Sequence, residues 1–508
     1  MEAQAFRGEV MRVPRGCFKH RDHCSKRQYS ILILMVCLCF VIKEISVGSN
    51  QTSRSAWYHK TTFPTVTGVG SLLSNTEGRE IAVDTQPAFD KCLAPSDDTH
   101  DNALESGTRE SEPAANTTGI EGWMWIDETF EERKRRMRRK DISVFTDNKR
   151  IDFVYKFVDS SQGEHVDRKR YWESRLQELY ALRPDLIGCP AIDRQQNSVR
   201  RERNNQELLY ALRSLHMYAP WFHHVFVVVE GPHMVPSWLN ASYERLTVIY
   251  HADIFPEPRS RYLPTFNGHA VASVLHRIPC ISDYYLAMDD DFFFTSEVRP
   301  EDFFDIIAGN ISGLKGIHAG GAIKHDSSKS CQMPHHHLAS HMNSAYLHKK
   351  WLSRFELKEL SSRAPEFRMM EHAPYASAKK MEMHLFGHVF ADEASELRTH
   401  RFRSKADFHA QALVFNIARA AKELGQSNPT ISSAGLSDMK TSFQSFKSEN
   451  AVENINKIRA AASKCQFIGI NDDMGEEVGE DILADIMHFY NSTWPLSAPW
   501  ETDSSENI

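Results

Sequence analysis

The sequence predicts an α/β domain, a parallel or mixed sheet covered by helices, and three observations carry that prediction. Apolar runs of strand length recur from residue 150 onward, a helix-period segment separates two of them, and polar residues follow where several runs end. Ile151-Asp152-Phe153-Val154-Tyr155-Lys156-Phe157-Val158 reads as a strand ending at Asp159. Leu208, Leu212 and Leu215 recur at helical spacing, and Val225–Val229 after them reads as a buried strand. Leu246–Tyr250 and residues 284–288 supply two more. In open sheets of this kind a ligand lies along the carboxyl ends of the strands.

The densest chemical signal follows the last of these strands, where Asp289, Asp290 and Asp291 separate the apolar run from Phe292, Phe293 and Phe294. A lone Asp-Asp pair would read as a surface turn. Three carboxylates between hydrophobic runs, matched by a second group at Asn471, Asp472 and Asp473, could converge on one hard divalent cation carrying phosphates.

The chain has 508 residues, 41% hydrophobic and 25% charged, with a formal net charge of -7. That is ample for one large domain or two ordinary ones, and no nucleic-acid footprint is present. Residues 1–28 carry Arg7, Arg12, Arg15, Lys19, Arg21, Lys26 and Arg27 against Glu2, Glu9 and Asp22, ahead of an uncharged run over 28–42. This reads as a basic cytosolic tail, 1–28, and a signal anchor, 29–47, of a type II membrane protein. Lys43 and Glu44 cut the run short of the about 20 residues a span needs, so Lys43 would have to snorkel. The competing readings are a cleaved signal peptide, for which the leader is too long, and a core helix, for which the polar flanks are unsuitable.

All five glycosylation sequons, at Asn50, Asn116, Asn240, Asn310 and Asn491, follow the anchor, which points to a luminal domain in the Golgi or ER. Cys92, Cys189, Cys280, Cys331 and Cys465 lack metal-ligand spacing and allow one or two disulfides with a thiol left over. Residues 48–149 read as a disordered stem. Within it, the basic run 133–140 is either an exposed helix paired from Glu131 and Glu132 or a protease site. The catalytic domain then spans 150–501, with a tail over 502–508.

His335-His336-His337 invites a metal reading, but three adjacent imidazoles do not share one face of a helix or strand. Other short words are more specific, and they come in order. The first is Ile151 to Asp159; the second runs from Glu207-Leu208-Leu209-Tyr210 through Arg213, Thr265 and Asn267 to the three aspartates. The third comprises Asn343, His372-Ala373-Pro374-Tyr375 and Thr399-His400-Arg401-Phe402-Arg403-Ser404 with Asp407. The fourth runs from Gly469-Ile470-Asn471-Asp472-Asp473-Met474 to Pro499-Trp500-Glu501. Over residues 150–501 the chain resembles the Stealth family of hexose-1-phosphate transferases. It departs from that pattern at Phe157, Asp159, Leu209, Ala272 and Val229-Glu230, positions that bear on substrate choice more than on reaction type.

The resemblance implies a nucleotide-sugar-transferase-like fold and transfer of a hexose-1-phosphate to a hydroxyl of a glycan or glycoprotein. GlcNAc-1-phosphate from UDP-GlcNAc is the foremost donor, with mannose-1-phosphate from GDP-mannose an alternative. A divalent metal, Mg²⁺ or Mn²⁺, would be held by Asp290 and Asp291 with Asp472 or Asp473. Arg401 and Arg403, two apart and so on one side of an extended segment, would clamp phosphate oxygens. His372 would be the general base, and His400 would orient the arginines or contact phosphate. Asp159, Glu207, Arg213, Thr265, Asn267, Asn343 and Asn471 are the expected substrate contacts.

Without the motifs, an isolated histidine or a basic strand is more often structural. The partners implied are the nucleotide sugar, the acceptor, the membrane through the anchor, and a second copy in a homodimer. A metal-dependent glycosyltransferase would use the same carboxylates but direct attack at the anomeric carbon. A luminal lectin-like cargo receptor would lack them.

Overall fold

The computed structural model describes residues 150–182, 203–323, 327–333, 336–354, 365–425, 433–475 and 478–502. The expected tail, anchor and stem, with the basic run 133–140, lie outside them. No helix among the described residues is long and apolar enough to cross a membrane.

A strand covered by helices on both faces must be apolar at every position, since neither set of side chains meets water. β1 (Ile151–Lys156), β2 (Val225–Val229) and β3 (Leu246–Tyr250) follow this apart from the buried Asp152 and Thr247, with burial broken only at Lys156. Asp152, fully buried within β1, accepts from the Ser282 N–H at 2.6 Å and faces His223 Nδ1 at 2.7 Å. With β4 (Tyr284–Asp289) these strands form a parallel sheet in the order β3-β2-β1-β4, and β10 (Tyr375–Ala378) joins antiparallel at the outer edge. The sheet is therefore mixed. β1 stops short of the expected end because Val158 turns into solvent, 39% exposed.

The helices explain their own sequences. α1 (Gly163–Leu182) is anchored at the end of β2, where Glu230 accepts from Arg168 Nη1 at 2.5 Å and faces His165 Nδ1 at 2.6 Å. α2 (Glu207–Tyr218) buries every residue from Leu208 to Leu215, as a helix between the sheet and other elements must. β5 (Phe292–Phe294) pairs antiparallel with β13 (Phe467–Asp472), which runs parallel to β12 (Thr441–Phe446). The three phenylalanines of β5 are core: Phe293 stacks on Trp494 at 4.7 Å and the Trp494 indole N–H donates to the Phe294 carbonyl at 2.7 Å.

β6 (Phe304–Ile307), β7 (Asn310–Gly316) and β11 (Ser433–Leu436) make a third sheet, and β8 (His318–Ala322) pairs with β9 (Arg368–Met370). The remaining long helices are α3 (His336–Leu352), α4 (Ala391–Thr399), α5 (Ala410–Glu423), α6 (Ala451–Ala462) and α7 (Glu480–Thr493). Near the carboxyl terminus Trp500 is fully buried. Cys331 is disulfide-bonded.

Candidate active site

From β1 the chain adds β2 and β3 on one side and, after a return, β4 on the other. Loops leaving the carboxyl ends of β1 and β4 therefore diverge, and the crevice between them is where an open α/β sheet takes its ligand. Lys156 ends β1 and faces Asp289, the end of β4, in register. Their side chains form an ion pair at 2.6 Å. Burial alone would raise Asp289, but the charge and hydrogen bond of Lys156, with the charges of His372 and Arg403, hold it below the usual carboxylate range.

For the next two carboxylates repulsion wins. Burial, then Glu207 and Asp289, push Asp290 up to about 8, and burial, then Asp289, Asp290 and Glu207, push Asp291 well above the usual range. Burial likewise pushes Glu207 up to about 7, with Asp472 adding and hydrogen bonds from Asn205 opposing.

The second acidic group arrives through strand pairing. The Ile470 N–H of β13 donates to the Asp291 carbonyl at 3.1 Å, and Asp472 follows two residues later. Asn205 Nδ2 bridges Glu207 Oε1 at 2.8 Å and Asp472 Oδ2 at 3.1 Å, while Arg203 donates to Asp472 at 3.0 Å and to the Gly475 carbonyl at 2.6 Å. Burial raises Asp472 in spite of these donors. The charges of Glu207, Asp291 and Asp472 all reach the Tyr490 hydroxyl on α7, so the acidic groups share one site.

Asp407 organises the opposite flank. Its buried carboxylate accepts from Asn267 Nδ2 and the Ser404 N–H, both at 2.9 Å, and faces His400 Nδ1 at 2.6 Å and His336 Nε2 at 3.3 Å. Asn343 of α3 donates to the carbonyls of Lys405 and Asp407, each at 2.8 Å. Burial would lower His400, but the hydrogen bond and charge of Asp407, with Glu396, raise it above the ordinary histidine range.

The loop so held presents Arg403, whose charge acts on Asp289, Lys169, His269 and His337. His372 lies stacked between His337, ring centroids 4.5 Å apart, and Phe443, 4.8 Å apart. Behind it the imidazoles continue in contact: His337 with His341 at 4.4 Å, His341 with His409 at 4.7 Å, and His269 with His336 at 4.8 Å. Burial and the charges of neighbouring imidazoles lower four of these, with His337 held at about 2, His341 at about 4, and His269 and His409 well below the ordinary range.

Several expected contacts have other partners. Arg401 does not share Arg403's surroundings: it donates to the carbonyls of Pro264 at 2.7 Å and Ser260 at 2.9 Å, and its guanidinium lies 4.0 Å over the Trp172 ring. The segment bends at 401–402 instead of running extended, so the two arginines diverge. Arg213 is buried in a bidentate pair with Glu501, at 2.9 and 2.7 Å, and fastens the carboxyl-terminal segment to α2.

Thr265 and Asn267 are buried, and Asn267 caps the short helix Gly268–Ala272 by accepting from the His269 N–H at 3.0 Å. Asn267 and Asn343 thus position the 400–407 loop. Asp159 accepts from the Ser161 N–H and Asn204 Nδ2, both at 2.9 Å; burial would raise it, but these bonds and that from Gln162 lower it. Asn471 is half-buried opposite Ser445, and Asp473 lies 3.9 Å from Lys447. Of the adjacent histidines, His335 lies outside the described residues, His336 turns to Asp407 and His337 to His341 and His372.

Sequence reasoning missed Lys156, Arg203 and Asn205. A lysine ending the first strand was the available signal.

Among the described residues no three His, Cys, Asp or Glu side chains form a ready-made metal cage. Mg²⁺ needs less, since one or two carboxylates suffice when water and substrate phosphates complete its octahedron. The donor chemistry fits. Asp290 and Asp291 offer hard oxygens crowded by like charge, and the buried Tyr375 hydroxyl, without a hydrogen-bond partner among the described residues, lies within reach of the charges of Asp289 and Asp291.

The candidate site is thus a mixed α/β sheet with carboxylates massed at its switch point and an arginine and histidines facing them. Family models match two of the four expected blocks: Stealth protein CR2, conserved region 2, over residues 201–310, and Stealth protein CR4, conserved region 4, over 456–507. The chain thus carries two regions similar to conserved regions of the Stealth proteins. An exopolysaccharide phosphotransferase of Streptomyces coelicolor is 46% identical over 101 residues, 20% of this chain and 17% of that protein. The N-acetylglucosamine-1-phosphotransferase subunits alpha/beta of Mus musculus are 40% identical over 107 residues, 21% of this chain and 8% of that one. An exopolysaccharide phosphotransferase of Nocardia farcinica is 26% identical over 365 residues, 70% of this chain and 62% of its own. The chain thus spans between 8% and 62% of the length of these relatives.

Proposed function

We propose that this chain is an enzyme that transfers a hexose-1-phosphate from a nucleotide sugar to a hydroxyl of a glycan or glycoprotein, forming a phosphodiester. The observation that carries the reading is the meeting, across the Lys156–Asp289 pair, of a carboxylate cluster with Arg403 and His372. Phosphoryl transfer needs both: charge to hold an anionic donor in line, and a group to take the acceptor's proton.

Asp290 and Asp291, with Asp472 beside them, would hold a divalent cation, which when bound supplies neutralisation of the pyrophosphate. The chain's own residues supply the rest. Lys156 and Arg403 offset the charge of the non-bridging oxygens. His372 accepts the proton as the acceptor oxygen bonds to the sugar-bearing phosphorus and the bridging P–O bond breaks, releasing a nucleoside monophosphate. Asp407, Asn267 and Asn343 keep Arg403 in place.

UDP-GlcNAc is the first donor to try, in keeping with the name of the murine relative, and GDP-mannose the second. We also place the chain in the Golgi or ER as a type II membrane protein, a reading supported by the basic amino terminus, the sequons and the disulfide at Cys331.

The test is the full-length chain with a panel of nucleotide sugars, Mg²⁺ or Mn²⁺, and methyl hexopyranosides. Release of a nucleoside monophosphate that stops with chelator and in Asp290→Asn is expected. Release of the diphosphate would instead identify a glycosyltransferase, and no turnover of any donor would overturn the enzyme reading.

A further inference from the structure

We propose that Phe443 and His337 are positioning residues that clamp the His372 imidazole between two flat rings and leave its edge to act, an inference that rests on the reading of His372 as the base. The rings form one nearly parallel stack. Phe443 and His372 lie 4.8 Å apart with 23° between planes, and His372 and His337 lie 4.5 Å apart with 27°. An imidazole nitrogen takes a proton along its lone pair, which lies in the ring plane, so covered faces do not block the base. The outer torsion of a histidine is broad, and nothing local fixes the plane of the ring. A ring on each face does fix it, and with it the line from nitrogen to acceptor hydroxyl that proton transfer requires.

Both halves of the clamp are fastened to the segment that carries His372. On one side the Thr441 hydroxyl of β12 donates to Glu371 Oε2 at 2.6 Å, and side chains two apart on a strand share a face, so Phe443 falls over the next residue. Gly469 stands opposite Phe443 in register and makes room, since a Cβ there would come within 2.8 Å of the ring's Cδ2.

On the other side His341, one turn along α3 from His337, ties that helix to the same segment. The Met370 N–H donates to its Nε2 at 3.3 Å, and its Nδ1 lies 2.9 Å from the His337 carbonyl. Because Nε2 accepts, Nδ1–H must donate to that carbonyl, and His341 is satisfied at both nitrogens as a neutral ring. His337 is uncharged as well: burial, then the charges of His341 and His372, hold it at about 2. A neutral ring can face the imidazolium that His372 becomes on taking a proton, whereas a charged one would repel it.

Burial does not account for the stack, for Phe443 is 39% exposed and His337 half-buried. Removing either ring should therefore disturb His372 more than the fold. The experiment uses the full-length chain with UDP-GlcNAc and GDP-mannose as donors and methyl α-D-mannopyranoside and methyl α-D-glucopyranoside as acceptors. Phe443→Ala and His337→Ala should each cut kcat by about one to two orders of magnitude, the scale of a displaced catalytic group, with the donor KM unchanged. Phe443→Tyr and His337→Phe keep a flat ring and should restore kcat; Phe443→Leu fills the volume without one and should not. Wild-type kcat in both alanine variants, or rescue by leucine as complete as by tyrosine, overturns the proposal. NMR of isotope-labelled histidine reads the stack without turnover. The His372 Cε1–H resonance, assigned by its loss in His372→Gln, should lie upfield under the two ring currents and move downfield when either ring is removed; an unmoved resonance overturns the clamp. A moved resonance in a chain that turns over no donor, or whose His372→Ala variant turns over normally, would retain the clamp and sink the phosphotransferase or the base reading instead.

Discussion

Arg401 and Arg403 stand two residues apart in one motif, yet they should fail in opposite ways. Arg401 donates to two backbone carbonyls, at 2.7 and 2.9 Å, and stacks on Trp172 at 4.0 Å. Each hydrogen bond from a charged donor contributes about 1.5–3 kcal/mol when buried, less for the exposed one to Ser260, and the cation–π contact adds about 1 kcal/mol. Arg401→Ala should therefore cost about 3 kcal/mol. For a domain of roughly 350 residues, with an unfolding entropy near 2.1 cal/mol/K per residue, that lowers Tm by about 4 °C. Arg401→Lys should recover little, because an ammonium cannot reach both carbonyls and lie flat on the indole. Arg403→Ala should leave Tm near wild type and weaken donor binding and turnover together, since its charge acts in ground and transition states alike. Differential scanning fluorimetry with donor KM and kcat on each variant settles the difference. An Arg401→Ala protein that melts like wild type and loses donor affinity as Arg403→Ala does would refute the assignment.

His372→Ala should cut kcat by about two to four orders of magnitude with little change in donor KM; normal turnover there together with a dead His400→Ala would move the base to His400, oriented by Asp407. Glu382 is buried against the Tyr285 hydroxyl, with His276 at 3.7 Å, and burial pushes it up to about 7 from an ordinary 4.5. Because the folded pKa is the higher one, its stabilising contribution is full below the unfolded value and is lost as pH rises through about 7, a change of about 3 kcal/mol. Glu382→Gln should flatten the fall in unfolding free energy between about pH 5 and 8, as denaturant titrations would register; an unaltered slope would show that Glu382 ionises freely in the fold. Digestion of the expressed chain with a peptide N-glycosidase should increase its mobility and leave it resistant to carbonate extraction; an unshifted, extractable protein would end the luminal, anchored reading.

What the sequence by itself determined is the framework and the acids. β2 and β3 were legible to the residue because a strand buried on both faces must be apolar throughout, and α2 because Leu208, Leu212 and Leu215 recur at its period. The two acidic runs were visible because carboxylates beside hydrophobic strands have few structural uses. Which polar residues meet each other was decided only by the tertiary structure. Arg213 pairs with Glu501 across 288 positions and Arg203 with Asp472 across 269, distances over which local spacing carries no information. The bend at 401–402 separates two arginines that a straight segment would align, and the pairing of β13 with β5 brings Asp472 to the first cluster. The motif residues Asn267, Asn343 and Asp407 were identifiable as a set, but not as the hub of a loop, because a buried polar side chain is defined by the partners that satisfy it and those come from helices and loops far apart in the chain.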